Sequence, residues 1–170
     1  MKLLYGHSDE VALWVGWRIP YVARRLQRDP ASLPFGACQA IGVLNAANEL
    51  VGGVVYHSYD PDCPSVEMSF AASSSKWLTR ALIGELLRYC FRDLQCRRVT
   101  GLTPRKATSA RRFLDKFGFK REGCVRFAFG SDHAIVSGLL REEWAQSRFN
   151  PDRVRGSIDV EKGKLQPAAA

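Results

Sequence analysis

Long hydrophobic runs are missing from this 170-residue chain: no apolar stretch reaches the ~18 residues a membrane-spanning helix requires. Asp9 and Glu10 interrupt residues 1–17, which therefore do not read as a signal peptide, and the default expectation is a cytoplasmic protein. Cysteine pairing is missing too. Cys38, Cys63, Cys90, Cys96 and Cys124 are odd in number, scattered, and free of any C-x-x-C spacing. That argues against a disulfide framework and against a zinc site, so no metal is expected and the thiols are expected to be reduced and mostly buried. There are no internal repeats. No helix-turn-helix, zinc-finger or aromatic RNA-binding signature accompanies the basic residues, so nucleic acid ranks last among the partners.

What is present is an ordinary globular composition with a basic excess. Hydrophobic residues make up 46% and charged residues 25%, typical of a folded domain that buries roughly 70% of its unfolded surface. Twenty-five Lys and Arg against 17 Asp and Glu give a net charge of +8. Such a field suits nucleic acid, an acidic protein or a polyanionic cofactor. Because the arginines are distributed in pairs (24–25, 97–98, 111–112) rather than in one block, a plain solvated surface explains them equally well.

The hydrophobic pattern places a short strand at 1–5 and helices at 9–18 and 21–28, with Ser8 as N-cap and Pro20 between them. Strands at 36–44 and 50–59 flank Asn45-Ala46-Ala47-Asn48, a hairpin signal. A turn at 60–64 leads to a third strand at 65–72. Residues 75–94 read as the longest helix, with a polar stripe of Arg80, Gly84, Arg88 and Arg92 and an apolar remainder that lies against a sheet. A strand at 96–103, a helix at 108–117 and a hairpin of 120–129 with 133–140 complete the pattern. Beyond Trp144 the composition turns to Pro, Gly and charge. We therefore expect one domain over 1–145 and a flexible tail over 146–170.

The most informative stretch is 109–123. Ala110, Phe113, Leu114 and Phe117 fall at i, i+3, i+4 and i+7, one apolar face of a short helix, and Gly118 stands where a left-handed residue would close it. Phe119 and then Arg121-Glu122-Gly123 open a strand. This element resembles the "A-x-x-[LF]-x-x-K-x-G-F-x-x-E-G" segment of the GNAT acyl-CoA N-acyltransferases. The order of elements over 1–145 is similar to theirs as well. The resemblance implies an α/β fold with a central mixed, mostly antiparallel sheet flanked by helices. Leu139-Leu140-Arg141-Glu142-Glu143-Trp144, together with 119–123 and Arg126, is closest to members that resemble ribosomal-protein alanine N-acetyltransferases.

The resemblance further implies acetyl-CoA as co-substrate and an amine as acceptor. In the family a pyrophosphate sits on backbone N–H groups at the start of the long helix, an anion at a helix N-terminus. Lys76, Trp77, Leu78, Thr79, Arg80 and Ala81 are a degenerate match to the signature [QR]-x-x-G-x-[GA], and Ser73, Ser74 and Ser75 add hydroxyls. The pantetheine arm is implied along Ser69, Phe70, Ala71 and Ala72. A notch is implied where the strand ending at Thr103 splays away, with Thr108 at the next helix start.

An attacking amine must lose a proton and the leaving thiolate needs one. Glu67, inside an otherwise apolar strand, is the first candidate base and His57 the second; either is equally a solvent-facing or satisfied side chain. Positions where the family carries a Tyr, Asn or Ser hold Leu114, Ala107 and Ala110. Ser137 is the candidate acid, with Thr108, Ser109, Tyr56 and Tyr59 as substitutes. Substrate choice is implied in the first helices and the 59–64 turn, where Trp14, Trp17, Arg18 and Tyr21 form an aromatic and basic wall suited to an acidic or aromatic acceptor. The expected function is N-acetylation of a primary amine of a small molecule or protein N-terminus. The alternative is a GNAT-like module that binds acyl-CoA or a partner without turnover. A homodimer is left open.

Overall fold

The computed structural model describes residues 1–74 and 76–153. The elements run β1 (Lys2–Leu4), α1 (Ser8–Arg18), α2 (Pro20–Arg28), β2 (Cys38–Leu44), β3 (Leu50–Asp60), β4 (Ser65–Ala72), α3 (Arg80–Arg88), a π-turn (Tyr89–Asp93), β5 (Arg98–Pro104), α4 (Thr108–Lys116), β6 (Lys120–Phe129), β7 (Asp132–Leu140), α5 (Arg141–Gln146) and a 3₁₀ turn (Pro151–Arg153). The strands form one mixed sheet in the order β1-β2-β3-β4-β5-β7-β6, and the expected α/β architecture is what the chain adopts. By compactness the described residues divide into two units: Met1–His57 with Phe70–Leu82, and Ser58–Ser69 with residues 83–153. Strands β3 and β4 and helix α3 each pass through both.

In the first unit, β2 and β3 pair antiparallel from Cys38↔His57 to Leu44↔Leu50. The hairpin signal works through Asn45, whose Oδ1 accepts the N–H groups of Ala47 and Glu49, both at 2.9 Å. Helix α1 buries Val11, Ala12 and Val15 against Leu4, Ala40, Leu44 and Val55. Ser8 does not cap it. Its hydroxyl donates to Gln39 Oε1 and accepts from the Ala40 N–H, both at 3.1 Å, tying α1 to β2 instead. Pro20 is the first residue of α2, where its missing N–H costs no helical bond.

The long helix starts later than its periodicity suggests. Thr79 Oγ1 accepts the N–H of Leu82 at 3.3 Å, the geometry of an N-cap, so α3 begins at Arg80 rather than at 75. It ends in the π-turn, where the Leu94 N–H reaches back to Tyr89 O at 2.9 Å. Gly84 does not belong to a polar stripe: it is buried, and a Cβ there would lie 2.8 Å from Phe149 O.

In the second unit, α4 closes as read. Gly118 has φ +91°, its N–H donates to Asp115 O, and the Phe119 N–H donates to Leu114 O at 3.2 Å, which is a Schellman pair. Phe91 stacks on Trp144 of α5 at 5.1 Å, and Phe117 meets Phe149 edge-on at 5.4 Å. Phe149 and Asn150 are buried and Arg92 pairs with Asp152, so the chain stays packed past 146 instead of becoming a loose tail there. The rest of that expected tail, 154–170, lies outside the described residues. Of the five free thiols, Cys90 and Cys96 are buried while Cys63 and Cys124 are exposed, so the expectation of mostly buried thiols is only half met. Among the described residues no helix is long and apolar enough to cross a membrane.

Candidate functional site

Sheet parity sorts the second unit's candidates. Register partners on neighbouring strands point to the same side. β4 and β5 pair in parallel at Ser65↔Arg98, Val66↔Val99 and Glu67↔Thr100, and β5 pairs antiparallel with β7, including Thr100↔Gly138, Gly101↔Ser137 and Thr103↔Ile135. One face therefore carries Val66, Val99, Gly101, Thr103, Ser137 and Leu139. Helix α4 covers it, with Leu114 Cδ1 2.9 Å from where a Cβ on Gly101 would sit. The other face carries Glu67, Arg98, Thr100, Leu102 and Gly138. It is the open one, with Leu102 37% exposed.

Glu67 and Ser137, the two candidates for proton transfer, thus stand on opposite faces. Glu67 is half-buried, and burial pushes its carboxyl above the ordinary value of 4.5. Ser137 is 3% exposed and lies beside the Gly101–Leu114 contact. Thr103 is buried as well, and its Oγ1 has no hydrogen-bond partner among the described residues. Thr108 is the exposed first residue of α4, and its N–H donates to Lys106 O at 2.9 Å. Beyond Glu67↔Thr100 the β4–β5 pairing stops, although β4 continues through Met68 and Ser69 and β5 through Gly101 and Leu102. Glu67 is thus the last β4 residue in the pairing.

The open face also holds a group that sequence reasoning missed. Arg98 spans β7 to reach β6: its guanidinium grips both carboxylate oxygens of Glu122, one at 2.9 Å, while its Nε donates to Thr100 Oγ1 at 2.9 Å. Gly138 makes the crossing possible, because a Cβ there would lie 2.4 Å from Glu122 Oε1. The pair moves both groups towards their charged forms, Arg98 upward and Glu122 downward, chiefly through that hydrogen bond. Only the strand register could have disclosed this clamp; Arg98-x-Thr100 carries no motif.

The first unit holds the rest of the candidates. Phe70, Ala71 and Ala72 end β4. The Ser73 N–H and hydroxyl both donate to Val51 O, at 2.9 and 3.2 Å, and Ser74 Oγ accepts the Lys76 N–H at 3.2 Å. Those two serines thus help to shape the loop; Ser75 lies outside the described residues. Trp77 is 3% exposed, its indole filling the space where Gly52 has no side chain. Leu78 is half-buried and Ala81 lies in the first turn of α3. Lys76, Thr79 and Arg80 remain exposed at the helix start. That donor set fits a polyanionic group: two cations and a capped helix N-terminus on a loop pinned by its tryptophan.

His57 stacks on Phe35 at 5.3 Å, and burial lowers its pKa, so it favours the neutral form. Tyr56 is buried and Ser109 exposed, while the Tyr59 hydroxyl donates to Leu94 O at 3.3 Å. Of the aromatic and basic wall, Arg18 lies 3.5 Å over the Trp14 ring and Trp17 is 45% exposed, with Tyr21 half-buried. Among the described residues no group of three or more His, Cys, Asp or Glu is arranged to hold a metal ion.

No protein-family model matches the chain, and no curated protein matches it in sequence. Solved structures do match its fold. The dodecameric spermidine N-acetyltransferase of Vibrio cholerae superposes with a TM-score of 0.59 at 18% identity, covering 74% of each chain. A point mutant of the same enzyme gives 0.60 at 18% identity over 74% of this chain and 73% of that one. A probable acetyltransferase gives 0.57 at 21% identity over 75% and 72%. At these identities the likeness establishes the fold, which is that of N-acetyltransferases.

Proposed function

We propose that this protein is an acetyl-CoA-dependent N-acetyltransferase acting on a primary amine. The observation that carries the reading is the half-buried Glu67 on the open face, at the point where the β4–β5 pairing ends. When bound, acetyl-CoA supplies the activated acetyl group. Lys76, Arg80 and the start of α3 hold its phosphates, and the edge of β4 over Ser69, Phe70, Ala71 and Ala72 lies along its arm. Glu67 accepts the proton of the acceptor's ammonium group, and its raised pKa brings it closer to the working pH of a general base. Ser137, sealed under α4, serves as a core hydroxyl in this reading, and alignment of the reactants contributes the larger part of the acceleration.

The acceptor is a small-molecule amine or a protein N-terminus. The similar structures named for spermidine favour testing polyamines first. Exposed Trp17 and Arg18 favour including aromatic and acidic amines in the same panel. The test is thermal unfolding with and without acetyl-CoA, followed by that panel. Saturation at about 100 times the dissociation constant adds ~2.7 kcal/mol, a rise of roughly 5–10 °C for a domain of this size. No rise with acetyl-CoA or free coenzyme A removes the coenzyme site. A rise without turnover on any amine favours the binding module. Light scattering of the same samples decides between monomer and homodimer.

A further inference from the structure

We propose that His133 is a pH-sensitive latch that holds the tip of the β6–β7 hairpin in a bulged form and opens when its imidazole is protonated. The ladder between the two strands pairs Val125 with Ala134 and Phe129 with Asp132. Between those pairs Arg126, Phe127 and Ala128 of β6 face His133 alone on β7, which makes a bulge in the terminal strand of the sheet. At its centre Phe127 has φ +55°, a left-handed conformation that a bulky side chain adopts only where its surroundings impose it. His133 supplies that constraint. The Phe127 N–H donates to His133 Nδ1 at 3.0 Å, and the two rings meet edge-on with centroids 4.9 Å apart.

Nδ1 accepts a hydrogen bond only while it carries no hydrogen, so this contact requires the neutral tautomer protonated on Nε2. Protonation puts a hydrogen on both ring nitrogens, and Nδ1–H then faces the Phe127 N–H, donor against donor. The latch is therefore closed above the titration midpoint of the imidazole and opens as pH falls through it. The backbone of His133 is held independently: its carbonyl accepts the Arg105 N–H at 2.8 Å and its N–H donates to Asp132 Oδ1 at 2.9 Å. Asp132 Oδ2 also accepts the Lys106 N–H at 3.1 Å. The charged groups around His133 are thus Asp132 beside it, Arg126 opposite on β6, and Arg105 and Lys106 in the loop between β5 and α4. The bond from the Lys106 N–H holds the Asp132 carboxyl below its ordinary 3.8, so Asp132 stays ionised over the range in which histidines titrate. Opening frees residues 126–128, and with them the orientation of Phe127, an aromatic side chain that is 67% exposed.

The experiment is an NMR titration of the full chain from about pH 8 to about pH 5, the range of histidine. The long-range nitrogen–carbon spectrum of the imidazoles, with His133 assigned by loss of its signals in His133→Asn, is expected to show the neutral ring protonated on Nε2. As that ring titrates, the hydrogen-exchange protection of the Phe127 amide is expected to fall about tenfold, the equivalent of one hydrogen bond. The Arg105 and Lys106 amides keep theirs. His133→Asn puts an amide oxygen where Nδ1 stood and does not titrate, so Phe127 stays protected throughout. His133→Phe keeps a ring without an acceptor and leaves the Phe127 amide weakly protected at every pH. Protection that does not change through the His133 midpoint overturns the latch, as does a neutral ring protonated on Nδ1. A His133→Asn chain in which Phe127 still loses protection on acidification overturns it too. Where a variant does not fold, the wild-type titration decides alone.

Discussion

Gly52→Ala tests whether the loop that carries Lys76 and Thr79 is held by its tryptophan. A Cβ on residue 52 would lie 2.1 Å from Trp77 Cε3 and 2.8 Å from both Cδ2 and Cζ3. Ordinary contact begins at 3.4 Å, so the indole, 3% exposed, has to retreat by more than 1 Å or leave its site. Overpacking of this kind costs about 1–3 kcal/mol, which is a fall of roughly 2–12 °C in Tm at ~2–4 °C per kcal/mol for 150–250 residues. Because Trp77 anchors the turn that carries Lys76 and Thr79, coenzyme A affinity should fall as well, by about ten- to a hundredfold for a displacement near 1 Å. Calorimetric unfolding and titration with coenzyme A read both effects. Trp77→Leu removes the colliding ring, so Gly52→Ala should cost little more in that background, a coupling of about 1 kcal/mol or above. Additive losses, or a Gly52→Ala protein with wild-type Tm and affinity, would refute the anchoring.

Two substitutions and one pH profile probe the same proposed site. Thr79→Asp should leave Tm nearly unchanged, because Asp caps a helix as well as Thr does. It should nevertheless weaken coenzyme A binding by setting a negative charge at the α3 N-terminus against the phosphates; isothermal titration showing undiminished affinity removes 76–81 from the site. Glu67→Gln should lower turnover by roughly 10²–10⁴ with coenzyme affinity retained, and a wild-type rate strikes Glu67 from the mechanism. The same variant should melt higher than wild type at neutral pH. Burial raises the Glu67 pKa in the folded state, so the ionised carboxyl destabilises the fold once pH exceeds its unfolded value of 4.5. The difference in Tm should therefore open as pH climbs from 4.5 through the raised pKa, and vanish below 4.5. The acidic limb of the wild-type rate profile should likewise lie above 4.5.

Much of this fold was legible because local signals and tertiary demands agree. Asn45 supplies its own turn acceptors, Gly118 supplies the left-handed residue that α4 needs, and β4 was read with its observed ends. Legibility failed where one residue answers to a distant partner. The apolar run from 75 looked helical, but Trp77 answers to Gly52 across 25 positions of sequence, and the helix waits for Thr79. Ser8 looked like a cap and answers to Gln39 and Ala40. Gly84 fell on a polar stripe by spacing, yet its bare backbone is where Phe149 packs. The site divides in the same way. Glu67 stood out as a charge in an apolar strand, whereas the grip of Arg98 on Thr100 and Glu122 depends on a carboxylate two strands away.

The leucine at position 114, where the family carries a tyrosine, has a packing explanation. Position 114 is fully buried, and Leu114 Cδ1 occupies the space that Gly101 leaves vacant on β5. A tyrosine there would have to place a ring and a polar oxygen in a hole shaped for a branched aliphatic side chain, at the cost of both overpacking and an unpaired hydroxyl. Gly101 and Leu114 are thus complementary, and the pair seals the face that carries Ser137. Sealing one face of β5 leaves Glu67, Thr100 and the Arg98–Glu122 clamp together on the other. A proton donor for the leaving group is therefore to be sought on the open face or in solvent reaching it, rather than on α4. That is the reason the absence of a tyrosine at position 114 does not count against turnover.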